Sequence, residues 1–173
     1  MSGPPSPTAL VALIAAAESV VGRWRADLDP SARRGMPAHV TVLYPWLPLD
    51  ELTPADEADL AAIIRSVPSF NVSLTDIQRF PQTLWLAPYP TDPFVQLTMD
   101  VERRWPAYEP YSGRFPNIEP HLSIGDAVDP DALGHVVADV APRLPIDDRV
   151  TEVSLMALDE DGHWYLRRAY PLG

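Results

Sequence analysis

A short pattern occurs twice in this chain and constrains it more than any other feature. It reads His39-Val40-Thr41 in the first half and His121-Leu122-Ser123 in the second, 82 positions apart. Both copies lie in apolar stretches, Ala38-His39-Val40-Thr41-Val42-Leu43-Tyr44 and Pro120-His121-Leu122-Ser123-Ile124. In a strand, successive side chains point to opposite faces. Val40, Val42 and Leu122 then enter a core, while His39 with Thr41, and His121 with Ser123, face the other way. Each half thus presents one imidazole beside one hydroxyl.

The surroundings repeat as well. Thr53-Pro54 opens a helix with the apolar face Leu60, Ile63, Ile64 and Val67, and Asp129-Pro130 opens another with Leu133, Val136, Val137 and Val140. Strands follow over Phe70 to Ile77 and Thr83 to Ala87 in the first half, and over Val150 to Leu158 and Trp164 to Tyr170 in the second. Each half reads strand, helix, strand, strand, so the chain is a degenerate duplication, roughly 38–90 and 118–171, of one α+β unit. Equivalent strands meeting near an approximate two-fold axis would bring His39 and His121 to opposite sides of one groove. Ahead of the first copy, Thr8 to Ala15 reads as a strand, Ala16 to Leu28 as a helix ended by Asp29-Pro30, and Ser31 to Pro37 as a loop. Between the copies, Pro93 to Trp105 reads as a helix and Ala107 to Glu119 as a loop.

A chain of 173 residues can bury one sizeable core as a single domain. It has no cysteine and hence no disulfide or thiolate site, which fits a reducing, cytoplasmic compartment. No run of eighteen apolar residues offers a membrane span, and Met1 to Pro7 lacks the pattern of a signal peptide. Thirteen arginines, no lysine and 24 acidic residues give a net charge of −11, which repels a long polyphosphate. A small phosphate ligand remains compatible with that field. The Arg-only, Ala- and Pro-rich composition suggests a GC-rich bacterial source.

The two blocks Pro37-Ala38-His39-Val40-Thr41-Val42-Leu43-Tyr44-Pro45 and Phe115-Pro116-Asn117-Ile118-Glu119-Pro120-His121-Leu122-Ser123 resemble those of the two-histidine (2H) phosphoesterase superfamily, in particular its bacterial 2′-5′ RNA ligase-like members. The resemblance runs from Ala9 to Leu172. It implies a bilobal α+β fold, two pseudo-symmetric antiparallel-sheet lobes with outer helices around a central groove. It also implies activity on 2′,3′-cyclic phosphates or 2′-5′ phosphodiesters without metal or cofactor, through His39, Thr41, His121 and Ser123. Imidazoles suit this chemistry because one can be neutral and the other charged near neutral pH. Hydroxyls can donate to the non-bridging oxygens as charge builds there. Tyr44, Trp46, Tyr111, Arg114 and Phe115 flank the motifs as candidates to stack a base or meet a phosphate. The expected partner is a small cyclic-phosphate nucleotide or RNA end, with no long nucleic acid and no membrane, and the chain is expected to be a monomer. His135 and His163 lack a following hydroxyl and read as surface residues.

Three other readings fit the residues. Two histidines with Glu119 or Asp126 could hold zinc or iron, although no carboxylate stands at a ligand spacing and the hydroxyls would be unexplained. The same groove could also bind a nucleotide or phosphometabolite without turnover, or serve another acid–base reaction.

Overall fold

Proline stands in the first turn of every described α-helix but the first. A computed structural model describes residues 6–81, 83–114, 117–126 and 128–173. In chain order its elements are β1 (Thr8–Leu13), α1 (Glu18–Leu28), α2 (Pro30–Arg33), β2 (His39–Trp46), α3 (Pro54–Arg65), β3 (Phe70–Arg79), β4 (Thr83–Tyr89), α4 (Asp92–Arg104), β5 (Leu122–Asp126), α5 (Pro130–Val140), β6 (Ile146–Val150), β7 (Glu152–Leu158) and β8 (Trp164–Pro171). Thr53 and Asp56 form a reciprocal capping box ahead of α3, with Pro54 in its first turn. Asp129 caps α5 by accepting from the Ala132 N–H.

The loop expected after α1 contains a helix, because Asp29-Pro30 both ends α1 and starts α2. The Asp29 carboxylate accepts from the Ser31 N–H, and Pro30 occupies the first turn. The single strand expected over 150–158 is two strands. β6 pairs with β3 and β7 pairs with β1, so the chain changes sheets at Thr151. Val150 and Val153 are both buried, which makes the sequence look continuous across the break.

Two four-stranded sheets result, with orders β2-β1-β7-β8 and β5-β4-β3-β6 and antiparallel pairing throughout. Each sheet draws strands from both halves of the chain, and each keeps a motif strand, β2 or β5, at one edge. Helices α3 and α4 pack on the first sheet against β8 and β2, and α1 packs on β5 with α5 beside it. One core, including Leu10, Val40, Trp46, Leu74, Leu86 and Ile124, runs through both layers. On the other face of β1, Ala9 and Val11 join Met36 and Met156 in a smaller cluster flanked by Leu13 and Trp164. That second face carries the groove.

Gly125 sets how closely α1 approaches β5. A Cβ there would collide with the Leu28 Cβ and stand 3.3 Å from the Leu28 carbonyl oxygen. Gly125→Ala is expected to destabilise the protein by about 1–3 kcal/mol, as overpacking does in filled sites. The midpoint of urea denaturation measures it.

Candidate active site

β2 is an edge strand, and its neighbours fix its register. His39 pairs with Leu13 and Thr41 with Val11, which places both polar side chains on the groove face. Val40 and Val42 are buried on the opposite face. The Thr98 hydroxyl of α4 donates to the Val42 carbonyl (2.7 Å), and the Ile14 N–H donates to the Ala38 carbonyl (2.9 Å). On the second sheet His121 stands one residue ahead of β5, and Ser123 pairs with Trp85 of β4. Leu122 and Ile124 are fully buried. β2 and β5 approach each other across the groove.

The two imidazoles are held alike. His39 Nδ1 lies 2.7 Å from the Pro37 carbonyl oxygen, and His121 Nδ1 lies 2.6 Å from that of Glu119. A carbonyl only accepts, so each Nδ1 carries the proton and each Nε2 is left to exchange one. Burial, aided by the Arg25 charge and by His121, lowers the His39 pKa to about 4, against the opposing pull of its Pro37 bond and Asp29. Burial also lowers that of His121, and there the Glu119 carbonyl, the Glu119 carboxylate and Asp126 all oppose it. Tyr111 stands between the two sites: it stacks on His121 and lines one groove with His39.

A groove of about 330 Å³ is lined by His39 and Thr41 from one sheet, by Ser123 and Asp126 from the other, and by Tyr111. Met36, Tyr44, Trp164 and Arg34 extend it over the first sheet. His121 is not itself in this lining. Its ring sits among Phe80 (5.2 Å between centroids), Trp85 (5.8 Å) and Tyr111, which stacks on it at 5.8 Å and 24°. Tyr111 comes from a left-handed turn in which Tyr111, Ser112 and Gly113 all have positive φ. Burial, with Glu119 nearby, pushes its phenol up to about 12, so it stays a neutral donor. Among the described residues no group of three His, Asp or Glu side chains could hold a metal ion.

The model of the 2′-5′ RNA ligase superfamily matches residues 13–162. The chain belongs to this superfamily. Solved structures agree on the bilobal α+β fold. Escherichia coli LigT complexed with 3′-AMP is 19% identical with a TM-score of 0.58, over 98% of this chain and 99% of that one. LigT complexed with NADP+ is 19% identical with a TM-score of 0.57 and the same coverage. TT0787 of Thermus thermophilus is 17% identical with a TM-score of 0.64, over 95% of this chain and 97% of that one. No curated protein matches the chain in sequence. No helix among the described residues is long and apolar enough to cross a membrane.

In this member of the 2′-5′ RNA ligase superfamily the flanking aromatics divide. Tyr44 and Tyr111 line the groove. Trp46 does not: it is 0% exposed and packs edge-to-face on Trp105 (5.1 Å), so it is a core residue and cannot stack a ligand. Arg114 is exposed just after the left-handed turn and is absent from the groove lining, and Phe115 lies outside the described residues. His135 and His163 are exposed. Sequence reasoning misses Trp164, Met36 and Arg34 as groove residues. The available signal for Trp164 is its repeat position, since it follows His121 much as Trp85 follows His39.

The lowered His39 pKa has a consequence for stability. The unfolded chain binds a proton near pH 6.5 that the native ring refuses until about pH 4. The unfolded state therefore binds more protons in that window, and stability falls as pH drops through it. The cost is absent above the window and complete at its lower end, about 2–3 kcal/mol after discounting the ring's partial exposure. Urea denaturation between pH 4 and 7 should show this slope in the native protein and a flatter one in His39→Ala.

Proposed function

We propose that the protein is a metal-independent phosphodiesterase that opens 2′,3′-cyclic phosphates, or cuts 2′-5′ linkages, of nucleotides or RNA ends. The observation that carries this reading is the matched pair of imidazoles, each bound through Nδ1 to a carbonyl two residues back and each followed by a hydroxyl on its strand. One Nε2 takes a proton from water as the water oxygen forms a bond to phosphorus. The bond from phosphorus to the leaving ribose oxygen breaks, and the other imidazolium gives that oxygen a proton. Water and cyclic diester become a phosphomonoester with a free hydroxyl, and proton exchange with solvent restores both rings. Burial at His39 favours the neutral form a base needs, and at His121 the carboxylates of Glu119 and Asp126 oppose that effect, which supports its part as the acid. Thr41 and Ser123 donate to the non-bridging oxygens as their charge grows.

The groove supports a small substrate. Its 330 Å³ lies near the lower end of small-molecule sites, about 300–1,000 Å³. Its apolar wall of Met36, Tyr44 and Trp164 suits a base. The net charge of −11 disfavours a long RNA. Complexes of LigT with 3′-AMP and NADP+ point the same way. The matched order β2-α3-β3-β4 and β5-α5-β7-β8 supports one domain built from two copies of a unit, with β6 inserted in the second.

The test is incubation with 2′,3′-cyclic AMP and with an RNA ending in a cyclic phosphate, with and without EDTA, followed by identification of the phosphomonoester. Turnover that survives the chelator is the expected result. Loss of activity in EDTA overturns the metal-free reading, and binding without product in any arm leaves a nucleotide-binding module.

A further inference from the structure

Among the described residues Arg25 is the one arginine in the core, 1% exposed, on the face of α1 turned toward both motifs. Its Nε donates to the carbonyl of Ser123, the hydroxyl residue of the second motif (3.2 Å). Its Nη1 donates to the carbonyl of Met36, three residues ahead of His39 (3.2 Å). Its Nη2 donates to Asp29 Oδ2 (2.9 Å), and Asp29 Oδ1 accepts from the N–H and hydroxyl of Ser31 in the groove wall. Glu18, earlier on the same helix, accepts from the Ala38 N–H beside His39 and lies 3.8 Å from Nη1. We propose that Arg25 is a positioning residue for the reaction, one guanidinium that registers the backbones of the two histidine motifs against each other. The proposal rests on the reading of His39 and His121 as an acid–base pair.

The chemistry of the side chain supports it. Burying a cation costs several kcal/mol, so it persists only where its partners repay that cost. The close approach of α1 to β5 at Gly125 and Leu28 supplies contact there that involves no charge. A rigid fork can meet two carbonyls and a carboxylate at once, which an ammonium cannot. The same cation bears on His39 electrostatically and favours its neutral form. The other groups that act on that ring are Asp29 at the α2 cap and His121 behind Tyr111, and around the groove stand Arg34, Asp126 and two phenols, Tyr44 and Tyr111.

The test compares Arg25→Lys and Arg25→Met with the native protein in three measurements: imidazole titration by NMR, steady-state kinetics on 2′,3′-cyclic AMP, and thermal melting. Lysine keeps the charge and loses the fork. We expect its His39 titration to stay near that of the native protein, while kcat falls about tenfold to a hundredfold with KM little changed, as for a small misplacement of reacting groups. Methionine loses both, and the His39 midpoint should also rise from its native position while staying below the ordinary value, because burial still depresses it. Native kcat in Arg25→Lys, or an unmoved His39 midpoint in a folded Arg25→Met, overturns the proposal and leaves a structural ion pair, whatever the melt shows. If Arg25→Met does not fold, the split of kcat from KM in Arg25→Lys decides. If the native protein turns over no cyclic phosphate, the functional reading fails, and the ring titrations alone judge the hold of Arg25 on the pair.

Discussion

Alanine at His39 or at His121 is expected to lower kcat on a 2′,3′-cyclic nucleotide by about 10²–10⁴-fold, the usual worth of a positioned acid or base. Neither change should unfold the protein. His39 lines the groove and His121 stands ahead of β5 among aromatic rings, and the core side is held by Val40, Val42, Leu122 and Ile124. Each ring is tethered by a hydrogen bond to a carbonyl two residues back, which water can replace. The double variant should lose little beyond the worse single one, because groups that act together in one step are not additive. Rates and melting curves of the three variants, each compared with the native protein, check both parts. Two independent losses that multiply would mean that the rings serve separate steps.

Thr41→Val and Ser123→Ala are expected to cost about 10²–10³-fold in kcat each, with a smaller change in KM. Both hydroxyls line the groove, one on each sheet. Donors aimed at oxygens that gain charge only in the transition state act on kcat more than on ground-state binding. Ser123→Thr restores the hydroxyl and should recover most of the activity, since the first motif uses threonine at the same place. A loss seen in KM alone would assign these hydroxyls to ground-state binding.

Much of this arrangement is legible in the residues. Alternation about His39 and His121 marks the core face and the groove face, and the caps at Thr53 and Asp129 mark the helix starts. What escapes has physical causes. Alternation from Val40 would send Tyr44 and Trp46 to the same face. Irregularities in the pairing of β1 with β2, between Leu10 and Val11 and again between Thr8 and Leu10, break that alternation, leaving Tyr44 exposed in the groove and Trp46 in the core. The change of sheet at Thr151 is hidden because valines on both sides are buried. The exchange of strands between halves depends on long-range pairing that no local window contains. Arg25 gives no signal beyond an i,i+4 acidic partner, Asp29, a pattern equally common on solvated helices. The aromatic cage of His121 joins Phe80, Trp85 and Tyr111 from distant segments, so only the fold brings it together.

The most direct measurement of the central claim is to titrate 3′-AMP into ¹⁵N-labelled protein and follow the imidazole Nε2 resonances. His39 and His121 should move together along one saturation curve with one Kd, as two rings facing a single phosphate must, while the exposed His135 and His163 stay still. Movement of only one of the two, or two curves with different midpoints, would contradict a shared phosphorus and with it the mechanism.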